Sequence, residues 1–339
     1  AIYTKFWFPN VPMWIWCVLY SIGLVLINLS SVKNFGEIEY WFAMIKVTAI
    51  VVFIILGIGY IFSGFGADPV VFTNLTANGG FLPNGISGVF KAMLIVIFSF
   101  YGVEVIAVTA GEAKNPQEAV PKAMKAMVFR LSAFYILAIT LVVCIVPWNQ
   151  AGLGESPFVT VFRAVGIPYA AGVMNFVVLT AALSSMNTNL YLTGRMLFSL
   201  SRGGYAPQVL GKLSKHGSPV YAVLVSTVGL LAASVISFLY EESAYMYLFG
   251  ISIFGGIFVW ITILFTVLKF RKKRAEEGLP PSMLPMPGFP ILPIIGIICL
   301  VLILIDCFFI GMASAWIAGI IWLSLISIIY YVNKDKFKK

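Results

Sequence analysis

Charged residues are scarce in this sequence, and histidine is almost absent. Asp, Glu, Lys and Arg make up 10% of the 339 residues, whereas soluble domains contain about 25%. The single histidine, His216, lies in a polar stretch where a solvated surface position is expected. With 60% hydrophobic residues and a mean hydropathy of +0.99, the chain has too little polar side chain for a soluble fold. The composition therefore predicts a membrane protein.

Paired cysteines are also missing. The four cysteines each lie in an apolar run and none forms a C-x-x-C pair, so we expect small buried hydrophobes rather than a disulfide framework or a metal cluster. They are Cys17, Cys144, Cys299 and Cys307. A single loop histidine offers no His, Asp and Ser constellation for a membrane-embedded enzyme. We predict a protein that is not an enzyme and has no cofactor or metal.

Apolar runs of about twenty residues, the length that a bilayer-crossing helix needs, recur along the chain. They predict an all-α, polytopic membrane protein with one membrane domain over 1–339 and no soluble domain. The nine predicted spans are 11–31, 40–62, 86–110, 128–147, 169–194, 219–239, 246–268, 290–310 and 312–332.

Lysine and arginine are distributed unevenly between the two sides of these spans. Eighteen of the 22 lie after spans one, three, five and seven or in the C-terminal tail, which predicts that this side, with the C-terminus, is cytoplasmic. The net charge of +9 therefore reports topology and attraction to anionic lipid rather than nucleic-acid binding, even at the KFRKKR stretch 269–274. The predicted outside N-terminus begins at Ala1 without Met or a signal peptide, so we expect further spans upstream.

The stretch FSFYGVE, residues 98–104, interrupts the third apolar run. Gly102 disfavours a helix interior, and Glu104 places a carboxylate near mid-membrane, which is costly unless it is paired, hydrated or protonated. These residues favour a broken helix whose carbonyls attract a cation. A glycine-kinked structural helix with a protonated, hydrogen-bonded glutamate is the alternative.

The segment AGEAKNPQEAVPKAM follows this stretch. Asn115, Pro116 and Glu118 are typical of the N-cap, N1 and N3 positions, so we predict a short amphipathic surface helix leading into span four. Glu112, Lys114, Lys122 and Lys125 are expected on its solvated face.

Three further polar features lie inside or at the end of predicted spans. Lys46 either snorkels to the inner interface or acts as a cation that is fixed or exchanges a proton. The stretch 180–196 carries a polar cluster that either holds helices together or lines a hydrophilic path: Ser184, Ser185, Asn187, Thr188 and Asn189. Asp306 is expected at the outer interface.

Several motifs together resemble the amino acid permeases of the amino acid–polyamine–organocation superfamily, over nearly the whole chain. They are FWFPNVPMWIW, FGEIEYWFAMIKV, FSFYGVEVIAVTAGEAKNPQEAVPKAM, ESPFV, MNFVVLTAALSSMN and GRMLFSLSRGG. The resemblance implies a twelve-span, LeuT-like fold with inverted repeats and broken helices. The chain then corresponds to family helices four to twelve and lacks the first three, which would be its missing intramolecular partners.

The resemblance also implies roles for single residues. The carbonyls of Phe98–Gly102 would take the substrate amino group, and the Phe98 ring would pack on the substrate. Glu104 would serve gating and proton traffic, and Lys46 would occupy the place of an ion held by sodium-driven relatives. The candidate substrate-binding residues are Phe98, Ser99, Phe100, Tyr101, Gly102, Ser185 and Asn187, with Glu104 and Lys46 as coupling or gating residues.

The expected function is secondary active transport of amino acids across the plasma membrane by alternating access, as a proton symporter. Its partners would be the amino acid, protons and membrane lipid, with no nucleic acid. Exchange without net proton movement and a non-transporting sensor on the same fold remain alternatives. Residues 187–189 read Asn-Thr-Asn, where relatives often have a smaller Ser-Gly-type sequence, so no particular amino acid is assigned.

Overall fold

The computed structural model describes residues 1–30, 32–63, 72–109, 115–151, 156–164, 166–167, 169–215, 217–241, 243–280, 286–309 and 313–333. His216, Glu112 and Lys114, for which solvated positions are predicted, lie outside these ranges, as does the C-terminal tail 334–339. The α-helices, in chain order, are α1 (Met13–Leu29), α2 (Val32–Ser63), α3 (Gly85–Phe98), α4 (Val105–Thr109), α5 (Pro116–Ile145), α6 (Pro157–Ala164), α7 (Ala170–Arg202), α8 (Val220–Leu239), α9 (Ala244–Glu276), α10 (Ile291–Phe309) and α11 (Ala313–Asn333).

These helices confirm the predicted all-α, polytopic membrane class. Seven of them are long and apolar enough to cross a membrane, and α1 and α3 are shorter apolar helices. Each of the nine predicted spans overlaps one of these nine helices. Many large apolar side chains on their surfaces are exposed, including Phe62 at 80% and Phe129 at 75%. Hydrocarbon, unlike water, imposes no penalty on such surfaces.

The chain divides into two compact units. The first unit comprises Ala1–Pro83 and Ala126–Glu241, and the second comprises Asn84–Lys125 and Glu242–Lys339. The division falls within α5. The prediction of a single membrane domain over 1–339 stays a prediction.

In the first unit, α7 packs against α1, α2 and α8. Buried Leu24, Leu190 and Val223 form the contact among α1, α7 and α8. The close approach of α7 and α8 depends on Gly194, because a Cβ there would lie 3.0 Å from the Val223 side chain. A second buried cluster, centred on Phe53 and Leu141, joins α2 and α5 to α6 and α7.

In the second unit, α9 packs against α10 and α11. Ile253, Phe254 and Ile257 on α9 are almost completely buried and meet Leu304 on α10 and Ala315 on α11. α3 packs on α10 in the same unit. α9 and α10 are therefore the helices that hold this unit together, with α11 packed on both and α3 on α10.

Some predictions about the connecting segments are wrong. The helix that begins at Pro116 runs on without a break to Ile145, so no separate surface helix precedes span four. The 269–274 basic stretch continues α9 rather than forming a loop, because Lys and Arg are good helix formers. The eight-residue helix α6 was not predicted.

The cysteines are free and only partly follow the prediction. Cys144 and Cys307 are buried, Cys17 is half-buried and Cys299 is exposed. The prediction of a buried side chain is therefore wrong for Cys299. An apolar helix in lipid does not need to bury every apolar residue against protein.

Candidate functional site

The third predicted span is broken, as the sequence suggested. α3 ends at Phe98 and α4 begins at Val105. Between them the chain forms i→i+3 turns: the Tyr101 amide donates to the Phe98 carbonyl at 3.1 Å, and the Val105 amide donates to the Gly102 carbonyl at 3.1 Å. Gly102 has a φ of +99°, a backbone conformation that favours glycine. A carbonyl oxygen has two lone pairs, so each turn bond leaves acceptor capacity for a ligand.

Tyr101 anchors the broken segment to α9. Its hydroxyl donates to the Ile253 carbonyl at 2.8 Å, and its ring meets the Trp260 ring edge-on at 5.1 Å. Gly256 makes room for this ring, because a Cβ at position 256 would overlap it. The break is therefore held in a defined geometry by a neighbouring helix.

Glu104 closes the turn. One carboxylate oxygen, Oε2, accepts from the Gly102 amide at 3.2 Å and from the indole nitrogen of Trp260 at 3.3 Å. The side chain is half-buried and has no cationic partner within ion-pair distance among the described residues. Two neutral donors thus orient a carboxylate beside a break whose carbonyls also attract cations, which makes this end of α3 suited to an ammonium group.

The remaining predicted residues of the break differ in exposure. The Phe98 ring is 38% exposed and packs on Phe249 at 4.7 Å and on Tyr101 at 5.1 Å. Ser99 is exposed and Phe100 is half-buried. The substrate-binding role of these residues stays a prediction.

Lys46 belongs to a different cluster, in the first unit. Its ammonium donates to the Ser184 hydroxyl at 2.6 Å and lies 3.8 Å from Oε1 of Glu39. The Ser184 hydroxyl donates to the same Glu39 oxygen. The ammonium is therefore held between a hydroxyl and a carboxylate, and the choice between snorkelling and a coupling role stays a prediction. A cavity of about 260 Å³, otherwise lined by apolar side chains of α2, α6 and α7, adjoins it.

The cluster continues through buried amides. The Asn187 amide donates to Oε2 of Glu39 at 3.3 Å, and the Asn28 amide donates to Oδ1 of Asn187 at 2.8 Å. The hydroxyl of Ser218 then donates to the Asn28 backbone carbonyl at 2.9 Å. Asn28 and Asn187 are 4% and 0% exposed. Helices α1, α2 and α7 and the segment before α8 therefore meet in one polar network.

The sequence predicts only part of this network. Ser185 is a predicted substrate-binding residue, but its side chain is exposed, while Ser184 in the same polar cluster is buried and bonded. Glu39 and Asn28 are not among the predicted site residues. A signal for Glu39 was present, since seven residues separate it from Lys46 and two helical turns place both on one face. Asn28 had no comparable signal.

The predicted site residues thus fall into two groups. Phe98–Gly102 and Glu104 lie in the second unit, and Lys46, Ser185 and Asn187 lie in the first. Asp306, expected at an interface, is half-buried on α10, and its Oδ2 atom is buried without a hydrogen-bond partner among the described residues.

All 339 residues match the family described as amino acid permease. The chain is 43% identical over 308 residues to the gamma-aminobutyric acid permease of Bacillus subtilis (strain 168), an alignment that covers 90% of this chain and 66% of that relative. It is 40% identical over 333 residues to the probable threonine/serine transporter YbxG of the same organism, covering 97% and 72%. It is 38% identical over 345 residues to the amino-acid permease AapA, covering 100% and 74%. The chain therefore spans about two thirds to three quarters of the length of these relatives.

Proposed function

Since this chain belongs to the amino acid permease family, we propose that the protein carries amino acids across the plasma membrane as a proton symporter. The observation that carries the proposal is the break at 99–104, where turn carbonyls and the oriented Glu104 carboxylate lie together at the end of an apolar helix. These groups suit the ammonium that all amino acids share. The proposed mechanism is alternating access around this broken helix.

Lys46 and Glu104 supply the proposed proton coupling. Both are ionisable groups inside predicted spans, and such groups mark ion and proton pathways in membrane proteins. Glu104 lies in the break itself, whereas Lys46 is paired with Glu39 in the other unit. In this proposal, substrate and proton bind together, and the inward proton gradient drives accumulation.

The proposed orientation places the C-terminus in the cytoplasm, with anionic lipid as a partner of the basic segments. The asymmetric Lys and Arg distribution supports it. Lys272 and Lys273, near the end of α9, are highly exposed and pair with Glu276 and Glu277 one turn later. Five Lys and Arg residues at 269–274 against these two glutamates leave a net positive helix end near the membrane surface.

Uptake of radiolabelled amino acids by proteoliposomes containing the complete gene product tests the proposal. Gamma-aminobutyric acid, threonine and serine are the first substrates to examine, because two of the relatives are named as transporters of these compounds. With one proton per substrate, each pH unit across the membrane supports about tenfold accumulation, and a proton ionophore should abolish it. Counterflow without proton-driven accumulation would instead identify an exchanger, and binding without either activity would identify a sensor.

A further inference from the structure

Glu39 lies on the same face of α2 as Lys46. Their backbone positions are seven residues apart, roughly 10 Å along the helix axis, and both side chains turn toward Ser184 on α7. Lys46 and Glu39 side chains are 35% and 24% exposed. The ammonium and the Glu39 carboxylate therefore form a partly buried ion pair and are not two independent solvated charges.

Ser184 joins these two groups into a continuous hydrogen-bonded path. Its hydroxyl oxygen accepts from the Lys46 ammonium at 2.6 Å, while its proton points to Oε1 of Glu39. A hydroxyl can accept and donate at the same time. This arrangement allows a proton to pass from nitrogen to carboxylate without any movement of the helices.

Glu39 is held in place by amides that cannot themselves take the proton. Asn187 binds its second oxygen, and Asn28 in turn fixes Asn187. Both asparagines are buried, and Oδ1 of Asn28 has no hydrogen-bond partner among the described residues. Among the described residues, the path of titratable groups therefore ends at Glu39, whose orientation the asparagines set.

The position of Glu39 along α2 gives the path a direction. Glu39 lies near Val32, where the helix begins, and Lys46 lies farther toward the middle of the span. The charge distribution predicts that this beginning of α2 is on the cytoplasmic side. Glu39 is therefore between Lys46 and the predicted cytoplasm.

We propose that Glu39 accepts the coupled proton from Lys46 through Ser184 and releases it toward the cytoplasm. The ammonium N–H bond breaks as the Ser184 oxygen gains that proton, and the original Ser184 proton forms the new O–H bond on Oε1 of Glu39. Lys46 becomes a neutral amine, Glu39 a neutral acid, and Ser184 is unchanged, so the cluster keeps a net charge of zero. Glu39 then loses the proton, and Lys46 takes up another. This inference rests on the proposed proton symport.

Other ionisable groups on the helices packed against α2 are few within the described ranges. α1 has no charged residue. The groups on α1, α6, α7 and the first-unit part of α5 are Cys17, Tyr20, Arg130, Tyr135, Cys144, Arg163, Tyr191, Arg195 and Arg202. The Arg195 guanidinium lies 3.5 Å from the centre of the Tyr191 ring, which stacks on Phe35 at 3.9 Å. Lys46 lies within ion-pair distance of Glu39, at 3.8 Å.

Replacement of Glu39 by glutamine tests the inference in proteoliposomes containing the complete gene product. Glutamine keeps an oxygen for the Ser184 hydroxyl but cannot accept the proton. We expect Glu39→Gln to lose accumulation driven by an inward proton gradient and to lose the proton uptake that accompanies transport, measured with a trapped pH-sensitive dye. Counterflow, which needs no net proton movement, should continue. The matched control is Glu37→Gln, on the same helix but exposed, which should behave as the parent does.

The outcomes are distinguishable. Proton-driven accumulation by Glu39→Gln at the parent's level would overturn the inference while leaving proton symport intact. Loss of counterflow together with accumulation would assign Glu39 a structural role and also overturn it. A parent that shows counterflow but no proton uptake would refute both this inference and the proposed symport.

Folding of the variant is checked independently. If Glu39→Gln does not reach the membrane because it leaves the ammonium unpaired, the double variant Glu39→Gln with Lys46→Met removes both charges. Like Glu39→Gln, the double variant should keep counterflow and lose proton-driven accumulation. Accumulation by the double variant would contradict the relay.

Discussion

At position 46, a lysine in an otherwise apolar part of α2 donates to Ser184 and lies 3.8 Å from a Glu39 oxygen. The compact ammonium fits between a hydroxyl and a carboxylate. A guanidinium is planar, larger and permanently charged. The chemistry of this site therefore depends on lysine itself and not on positive charge alone.

We expect both Lys46→Arg and Lys46→Ala to lose concentrative uptake. The alanine variant leaves Glu39 without its cation, and the arginine variant cannot cycle its proton. A lost charged hydrogen bond is worth about 1.5–3 kcal/mol, so accumulation should fall by about tenfold or more. Lys91→Arg, at an exposed position on α3, is the matched control in the same uptake assay. Normal accumulation by Lys46→Arg would return this residue to the snorkelling interpretation.

The Glu104→Gln variant separates substrate binding from proton coupling at the break. A glutamine oxygen can still accept from the Gly102 amide and from Trp260, so the turn should persist. Because the turn carbonyls stay in place, the variant should keep much of its substrate binding. The pH dependence of initial uptake should flatten, because the side chain no longer ionises. Uptake rates measured across a series of external pH values check this, with Glu118→Gln as an exposed control. If the variant follows external pH as the parent does, Glu104 is not the coupling group.

At the scale of the helices, α9 fixes the broken segment by leaving space for Tyr101. Gly256 faces the Tyr101 ring, whereas Gly255 has nothing within 4 Å of the position its Cβ would take. Of these two adjacent glycines, only Gly256 is needed to accommodate the Tyr101 ring.

We expect Gly256→Ala to push the Tyr101 ring away and to break its hydrogen bond to the Ile253 carbonyl. Overpacking of this kind costs about 1–3 kcal/mol, so the variant should have a lower melting temperature and slower transport. Gly255→Ala should match the parent or be slightly more stable, since alanine favours a helix. Thermal unfolding in detergent and initial uptake rates measure the two effects. Equal behaviour of the two variants would show that Tyr101 does not hold the break.

At the scale of the whole molecule, the charge distribution predicts opposite sides for two described segments. The segment between α2 and α3 contains exposed Thr76, and the end of α9 contains Lys272, whose side chain is 79% exposed. The prediction places the former outside and the latter in the cytoplasm.

Cysteine labelling tests this arrangement. In a variant of the complete gene product whose native cysteines are all replaced, Thr76→Cys should react with a membrane-impermeant maleimide in intact cells. Lys272→Cys should react only after the cells are opened. Labelling of both cysteines from outside would contradict the predicted topology.

Much of the fold was readable because a membrane-spanning helix satisfies its backbone hydrogen bonds within itself. Local hydropathy was therefore enough to locate nine helical segments. The break near Gly102 was also readable, since Gly102 and Glu104 oppose an uninterrupted apolar helix locally. The ends of α2, α5 and α9 were placed wrongly because polar residues beyond the hydrocarbon can continue a helix.

Which polar residues meet in the network of Lys46, Glu39, Ser184, Asn187 and Asn28 could be seen only in the tertiary structure. Neighbouring residues on a helix point about 100° apart, so the rotation of α7 selects Ser184 rather than Ser185 as the partner of Lys46. That rotation is set by packing against α1, α2 and α8, through contacts between residues far apart in the chain. Asn28 and Asn187 are 159 residues apart, and Lys46 and Ser184 are 138 residues apart. Local sequence therefore established the membrane helices and one break, and long-range packing established which polar groups meet.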